Sequence, residues 1–168
     1  MRSAYLKKEM INHVLYALTK PNRLACEIAL RTGLRIDDVL SIKSVQLRQK
    51  SFTVIEQKTG KRKRVYLTDS LRKELLEIAG EIYVFEHRRD KNRHRTRQAV
   101  WWDLKRAAKA FRVRVNITPH SMRKVYAVEL YRRNGDLKKV QHALNHDSLE
   151  ITLIYALADV LSEKNKAT

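Results

Sequence analysis

One segment of this sequence differs in pattern from everything around it. Residues 44 to 67 contain three short runs rich in β-branched and aromatic residues, which read VQLRQ, SFTVIEQ and KRVYL. The turn sequence KTGK separates the second run from the third, and this arrangement predicts a small three-stranded antiparallel sheet. Most of the remaining chain shows apolar residues at helical spacing. The sequence therefore predicts an α+β fold, mainly α-helical, with helices packed around the small sheet.

Helix boundaries are marked by a small number of residues. The chain contains only four glycines and two prolines. Pro21 is expected to end the first helical run, Asn22 to cap the second helix, and Gly33 to end that helix in the left-handed conformation. Further along, Thr118 and Pro119 form the cap and the first-turn proline of another helix. Each of these signals predicts the end of an element.

Length and charge limit the class of protein. A chain of 168 residues is expected to fold as one domain, residues 1 to 168. The 36 lysines and arginines exceed the 18 acidic residues, which gives a net charge of +18 and an isoelectric point near 10.3. Such a balance is typical of nucleic-acid-binding proteins. With 43% hydrophobic residues the chain is globular, which excludes a disordered basic tail.

The sequence also predicts where the protein is found. Cys26 is the single cysteine and lies in the apolar run LACEIAL, where a buried core position is expected. The chain has no apolar run of the length needed to span a membrane, and MRSAYLKKEM lacks the apolar centre of a secretory signal. We therefore expect a soluble protein of the reducing cytoplasm, without a membrane partner.

The start of one helix has an unusual charge. In the stretch ITPHSMRKVYAVELYRRNG, His120 and Arg123 follow the helix start at Pro119 on adjoining turns of one face. First turns of helices ordinarily favour acidic residues, because their free N–H groups carry partial positive charge. Here the side chains add positive charge instead. This pattern predicts that an anion from outside the protein binds at this helix end.

One further stretch is rich in positive charge. Residues 87 to 97 read HRRDKNRHRTR and contain six arginines and lysines with one acid. A solvated loop is one interpretation of such a block, and contact with a phosphate backbone is the other. The candidate DNA-binding residues are Lys61, Arg62, Arg88, Arg89, Lys91, Arg93, Arg95 and Arg97.

The order of the polar residues resembles that of a known family. The segments ALRTGLRIDDVLSIK, EQKTGKRKRVYL, TPHSMRKVYAVELYRRNGDLKKVQHALNH and SLEITLIYA follow one another along the chain. They carry, in order, Arg35, Lys58, His120, Arg123, His146 and Tyr155. This ordered set, over residues 5 to 160, resembles the catalytic domain of the tyrosine recombinases of the phage integrase family. The resemblance implies a DNA strand-cutting and rejoining enzyme.

The chemistry of this reaction requires a binding site for the phosphate anion. Negative charge grows on the non-bridging oxygens as a phosphodiester is displaced. Arg35 and Arg123 suit those oxygens, because each guanidinium offers planar paired donors. The helix start at residues 118 to 120 adds a field of the same sign. Together these groups form the electrostatic clamp that phosphoryl transfer needs.

The resemblance also implies a role for each remaining residue. Tyr155 would be the nucleophile and would form a 3′-phosphotyrosyl bond. His120 is placed for proton exchange, because a phenol with a pKa near 10 needs a base or cationic surroundings. Lys58 would be the general acid for the 5′-hydroxyl, and His146 would donate a hydrogen bond to the phosphate. No cofactor and no metal is expected.

The same resemblance implies partners. Double-stranded DNA is the expected substrate, and strand exchange would pass through a Holliday junction within a tetramer, with accessory DNA-bending proteins as further partners. The N-terminal core-binding domain of such enzymes is not expected in this sequence. Two alternatives stay open at this level. One is DNA relaxation of the type IB topoisomerase kind, and the other is a catalytically silent DNA-binding regulator with the same fold.

Overall fold

The computed structural model describes residues 8 to 145, and its secondary structure is mainly helical. The elements are α1 (Lys8–Tyr16), α2 (Lys20–Thr32), α3 (Ile36–Leu40), a 3-10 helix (Ser44–Arg48), β1 (Ser51–Ile55), β2 (Arg62–Tyr66), α4 (Asp69–Ile78), α5 (Arg97–Ala110), α6 (Pro119–Asn134) and α7 (Leu137–Ala143). The predicted class, a mainly helical α+β fold, is confirmed. None of the helices in this part of the chain is long and apolar enough to cross a membrane.

The sheet has two strands, so the predicted third strand is wrong. β1 and β2 pair antiparallel, with Ser51 opposite Tyr66 and Ile55 opposite Arg62. Residues 44 to 48 form the 3-10 helix instead. The physical reason is the side chain of Gln46, whose Oε1 accepts the main-chain N–H of Lys43 at 2.8 Å and whose Nε2 donates to the Thr53 carbonyl at 3.0 Å. These bonds replace the backbone ladder that a third strand would make.

The start of α2 also differs from the prediction. α1 ends at Tyr16, before Pro21, and Pro21 lies in the first turn of α2. Asn22 does not cap this helix, because the residue at the N-cap position is Thr19. The Asn22 side chain is buried, and its Nδ2 donates to Asp103 Oδ2 of α5 at 2.8 Å. The Asn22 side chain therefore hydrogen-bonds to a residue that is distant in the sequence, whereas the local pattern predicts that it caps α2.

The predicted boundaries at Gly33 and Thr118 are confirmed, and local sequence also marks two further helix boundaries. Gly33 and Gly135 have φ values of 67° and 63° and end α2 and α6. Thr118 begins α6 with reciprocal hydrogen bonds to the third residue of the helix, and the Asp136 side chain accepts main-chain N–H bonds at the start of α7. Asn145, which follows α7, has a φ of 50°. Each of these boundaries depends on residue type and on neighbouring residues in the sequence, and not on a tertiary contact.

α2 is the central helix of the described fold. It contacts α1, α3, α4, α5 and α6, and its Leu24, Cys26 and Ile28 side chains are buried in the main core. The buried position of Cys26 is as predicted, and burial raises the pKa of its thiol. Because α2 touches most other helices, the ends of α2 set the positions of the neighbouring loops.

A second, smaller core joins α6 to α7. It consists of Ala127 from α6 with Val140 and Leu144 from the α7 region, and the half-buried Tyr126 and Leu130 pack against it. α6 therefore has apolar residues on more than one side, since it packs on α2 and on α7. This arrangement brings the C-terminal end of α7 next to the C-terminal end of α2.

We expect Asp103 to be a major determinant of stability. Its Oδ2 accepts from the Thr19 N–H and hydroxyl, each at 2.9 Å, and from Asn22. Burial alone would raise the pKa of Asp103, but hydrogen bonds from Asn22, Arg106 and Thr19 outweigh it and lower the pKa. Asp103→Ala removes the acceptor of the buried Asn22 amide and of both Thr19 donors, and it should cost about 2 to 3 kcal/mol, measured by urea unfolding.

Asp69 provides the matched control. Its carboxylate pairs with Lys50 at 2.9 Å, and both side chains are exposed. Asp69→Ala should therefore cost about 1 kcal/mol or less. Equal losses for the two variants would contradict the role assigned to Asp103.

Candidate active site

Arg35 is positioned by the end of α2. Gly33 adopts φ 67°, and a Cβ atom there would lie 2.4 Å from the Tyr126 ring, so both the conformation and the packing require glycine. The chain then turns, and Arg35 precedes α3 in an extended conformation. Its Nη1 donates to Glu56 Oε2 at the end of β1. Arg35 therefore lies at the junction between α2 and α3.

Arg123 is held inside the protein. Its residue is 2% exposed, and its guanidinium donates from Nη1 to the Gly33 carbonyl and from Nη2 to the Leu144 carbonyl. The first carbonyl follows α2 and the second follows α7. Arg123 therefore ties three helices together at one point.

Three of the six predicted site residues line one cavity. Arg35, His120 and Arg123 border a cavity of about 330 Å³, which is within the size range of small-ligand sites. The start of α5 also lines this cavity through Arg97. Arg97 Nη1 lies 3.7 Å from Asp37 Oδ2 of α3. The remaining lining residues include Leu34, Ile36, Gln98, Trp101, Thr118 and Pro119.

His120 carries an unusual pKa. Loss of hydration lowers the pKa of this histidine, and surrounding positive charge lowers it further, to about 4, although the residue as a whole is exposed. The charged neighbours, in order of effect, are Arg123, Lys124, Arg35 and Lys58. The imidazole is therefore neutral near pH 7, with a nitrogen lone pair that can accept a proton.

Lys58 lies in the turn between β1 and β2, as predicted, and is exposed. Its charge contributes to the lowered pKa of His120, so it acts electrostatically on the cavity. The neighbouring Lys61 donates from Nζ to the Asn145 carbonyl at 3.5 Å. Arg62 begins β2 and is exposed.

His146 and Tyr155 lie outside the described residues. The predicted roles of both residues stay predictions. The last described residue, Asn145, is next to His146 in sequence, and its Nδ2 donates to Glu56 Oε1 at 2.5 Å. Asn145, the residue before His146, therefore donates to the same carboxylate that binds Arg35.

Lys63 is a half-buried cation that sequence reasoning missed. Its Nζ donates to the Ala143 carbonyl at the end of α7 and lies 5.2 Å from the centre of the Tyr126 ring. Burial and the charges of Arg123 and Arg35 lower the pKa of Lys63 to about 8, against an opposing effect of Glu56. The signal was the two-residue period of β2, which places position 63 on the same face as the buried Val65.

Two acidic residues in the site were also missed. Glu56 is fully buried, and Asp38 is 1% exposed. Asp38 Oδ1 accepts the main-chain N–H of Gln57 at 2.8 Å, whereas no hydrogen-bond partner is found for its Oδ2 among the described residues. Burial raises the pKa of Asp38, and the Gln57 bond opposes this effect. Their sequence signal was weak, since an acid at position 38 also suits a first helical turn.

The basic loop divides into exposed and anchored residues. Arg88, Arg89, Lys91 and Arg93 are exposed. Arg95 is half-buried instead, its Nε donates to Asn22 Oδ1 at 2.6 Å, and burial lowers its pKa. Arg97 is exposed at the start of α5 and lines the cavity. DNA contact by these residues stays a prediction, and the Arg95 guanidinium is already hydrogen-bonded within the fold.

The described part of the chain offers no evident metal centre. Between residues 8 and 145, no group of three or more histidine, cysteine, aspartate or glutamate side chains could hold a metal ion. The cavity is instead bordered by cations, and the chemistry it favours is the binding of an anion with a neutral imidazole beside it.

The sequence matches the phage integrase family over residues 5–160. Tyrosine recombinase XerD of Ralstonia nicotianae is 29% identical over 148 residues, which cover 80% of this chain and 47% of XerD. Tyrosine recombinase XerA of Thermococcus kodakarensis is 29% identical over 168 residues, which cover 92% of this chain and 58% of XerA. The chain thus spans about half the length of these relatives.

Solved structures share the fold. A lambda integrase dimer bound to a COC′ core site has a TM-score of 0.73 at 24% identity, covering 92% of this chain and 48% of that one. XerH recombinase bound to a palindromic difH substrate, in a post-cleavage complex, has a TM-score of 0.72 at 24% identity, covering 90% and 48%. The helical arrangement around the small sheet is therefore that of a tyrosine recombinase catalytic domain.

The neutral state of His120 can be tested by NMR. We expect the His120 ring to remain neutral from pH 8 down to pH 5 and to protonate only around pH 4. Arg35→Gln should raise the pKa of His120, because it removes one neighbouring positive charge. His120→Gln identifies the resonance. Protonation of the wild-type ring near the ordinary value of about 6.5 would contradict the assigned electrostatics.

Proposed function

This chain belongs to the phage integrase family, and we propose on that premise that it is the catalytic domain of a site-specific recombinase or integrase that cuts and rejoins DNA. The observation that carries the proposal is the meeting of Arg35, His120 and Arg123 at one cavity, from positions up to 88 residues apart in the sequence. The proposed substrate is the phosphodiester of double-stranded DNA.

The scissile phosphate would bind where positive charge converges. Arg35 and Arg123 supply guanidinium donors, and residues 118 to 120 place the start of α6 at the same cavity, where the helix dipole carries partial positive charge. These charges are in place before the substrate arrives, so little reorganisation is needed as charge grows on the phosphate oxygens.

The proposed reaction transfers the phosphate from one oxygen to another. The Tyr155 hydroxyl oxygen attacks phosphorus, a Tyr155–phosphate bond forms at the 3′ side, and the bond to the 5′ oxygen breaks. The neutral ring of His120 accepts the proton from the phenol. Lys58 donates a proton to the departing 5′ oxygen, and His146 donates a hydrogen bond to the phosphate. The reverse steps rejoin a strand and regenerate the free tyrosine.

The electrostatics of the free protein support this division of labour. A histidine with a pKa of about 4 is already unprotonated near pH 7, as a proton acceptor must be. Lys58 lies on the exposed turn between β1 and β2, separate from α6. The two proton transfers are therefore assigned to different residues, one on α6 and one on the hairpin.

The assembly on DNA is proposed from the relatives. XerH is described in a post-cleavage complex with its DNA, and lambda integrase as a dimer on a core site. For this chain we propose binding to duplex DNA through the exposed basic loop, strand exchange through a Holliday junction within a tetramer, and help from accessory DNA-bending proteins. The single-domain organisation and the cytoplasmic location expected from the sequence remain predictions.

Replacement of Tyr155 tests the proposed function directly. The chain is incubated with a radiolabelled pool of nicked duplexes of randomised sequence, and covalent protein–DNA adducts are separated on denaturing gels. Tyr155→Phe should abolish adducts while DNA binding is nearly unchanged, because only the nucleophilic oxygen is lost. Tyr16→Phe, at a residue that is 79% exposed, is the matched control and should leave the adduct yield unchanged.

The outcomes separate the alternatives. Adducts that persist in Tyr155→Phe contradict the assigned nucleophile. Salt-sensitive DNA binding without any adduct in the wild type identifies a silent DNA-binding regulator. Relaxation of supercoiled plasmid by a monomer, without a junction intermediate, identifies the topoisomerase activity.

A sulfur-substituted substrate tests Lys58. Lys58→Ala should slow cleavage by about 100-fold or more, because the leaving 5′ oxygen loses its proton donor. A substrate with sulfur at the 5′ bridging position should restore the rate, since a thiolate leaves without protonation. Lys50→Ala, at an exposed lysine before β1, should have no such defect. Failure of the sulfur substrate to restore cleavage would assign the acid to another residue.

A further inference from the structure

Glu56 is a fully buried carboxylate at the end of β1. A buried charge is stable only when it is paired and hydrogen-bonded. Both oxygens of Glu56 meet this condition, since Oε2 accepts from Arg35 Nη1 and Oε1 accepts from Asn145 Nδ2 at 2.5 Å. The side chain thus joins the junction after α2 to the turn that follows α7.

The main chain of the same residue closes the turn that carries Lys58. The Glu56 N–H donates to the Lys61 carbonyl at 3.0 Å, and the Glu56 carbonyl accepts from the Gly60 N–H at 2.8 Å. Gly60 has a φ of 66°, which favours glycine at this point of the turn. One residue therefore holds the base of the Lys58 turn, Arg35 and the residue before His146.

Glu56 lies behind Arg35 with respect to the cavity. Arg35 and Arg123 line the cavity, whereas Glu56 does not, and the Arg35 side chain keeps 24% of its surface exposed. A carboxylate in this place cannot compete with a substrate phosphate for the cavity itself. It limits the orientations of the guanidinium and leaves other N–H donors of Arg35 for the phosphate.

Glu56 also balances the local charge. Arg35, Arg123 and Lys63 lie close enough to influence one another, and the negative charge of Glu56 acts against the lowering of the Lys63 pKa. Without this carboxylate, the cations around the cavity would repel one another in a partly dry environment. Their positions relative to each other would then depend on the arrival of the substrate anion.

We propose that Glu56 is a positioning residue for DNA cleavage, which orients Arg35 toward the scissile phosphate and ties it to the Lys58 turn and to the segment entering His146. This inference rests on the proposed function. Glu56 acts through Arg35 and does not touch the reacting atoms. Its contribution should therefore depend on the charge of the phosphate that Arg35 binds.

The test compares two forms of one substrate. A nicked duplex is selected from the randomised pool by adduct formation with the wild type, and is then made with a methylphosphonate at the scissile position. The methyl group replaces a non-bridging oxygen and removes the negative charge that Arg35 would stabilise. The rate of adduct formation is measured on both forms for wild type, Glu56→Gln and Glu27→Gln.

Glu56→Gln should slow cleavage of the phosphodiester by about 10- to 100-fold, the expected range for loss of a charge-assisted hydrogen bond. On the methylphosphonate the same variant should stay within about threefold of wild type. Glu27→Gln should match wild type on both substrates, because Glu27 pairs with Arg23 at 2.6 Å and does not line this cavity.

Glu56→Asp guards against loss of the fold. It keeps the buried negative charge but shortens the side chain, so it cannot reach both Arg35 and Asn145 as Glu56 does. We expect a smaller loss on the phosphodiester and none on the methylphosphonate. Equal losses on the two substrates, in either variant, overturn the inference and make Glu56 a structural residue only, while the proposed function stands. Absence of adducts in the wild type overturns the proposed function and this inference together.

Discussion

The buried guanidinium of Arg123 is the interaction on which the rest of the site depends. It donates to carbonyls at the ends of α2 and α7 from a position on α6, so three helices meet at one charged group. An arginine with 2% exposure is stable only when its charge is compensated. The buried acids Asp38 and Glu56 lie near enough for electrostatic interaction with this cluster. The residue that is proposed to bind the substrate anion therefore also holds three helices together.

Three residues of the free protein accommodate the nearby positive charges in different ways. His120 gives up its proton, with a pKa of about 4. Lys63 retains an ammonium of lowered pKa, about 8, against a carbonyl at the end of α7. Arg35 takes the buried carboxylate of Glu56 as its partner. All three follow from one cause, because a cation that lies close to other cations is less stable in its charged form unless an opposite charge compensates it.

Much of the site was visible in the sequence because its chemistry depends on local spacing. His120 and Arg123 are three residues apart at a helix start, and Gly33 sets the turn before Arg35, so their placement follows from helix geometry. The prediction failed where a side chain found a partner far along the chain. Gln46 binds the edge of β1 in place of a third strand, and Asn22 binds Asp103 in place of a helix end. Glu56 was missed for the same reason, since nothing in the strand or turn sequence marks a carboxylate that will be buried.

The helical character, the helix ends at Gly33 and Thr118, and the positive charge could be read from the sequence alone, because they depend on backbone preference and on residue type, which act over a few residues. The set of candidate site residues came instead from the resemblance of the whole sequence to a family. Only the tertiary structure decided which of those charges are buried, which acids accompany them, and that Arg35, His120 and Arg123 share one cavity. The reason is physical, because pairing and loss of hydration depend on distances between residues that are remote in the sequence.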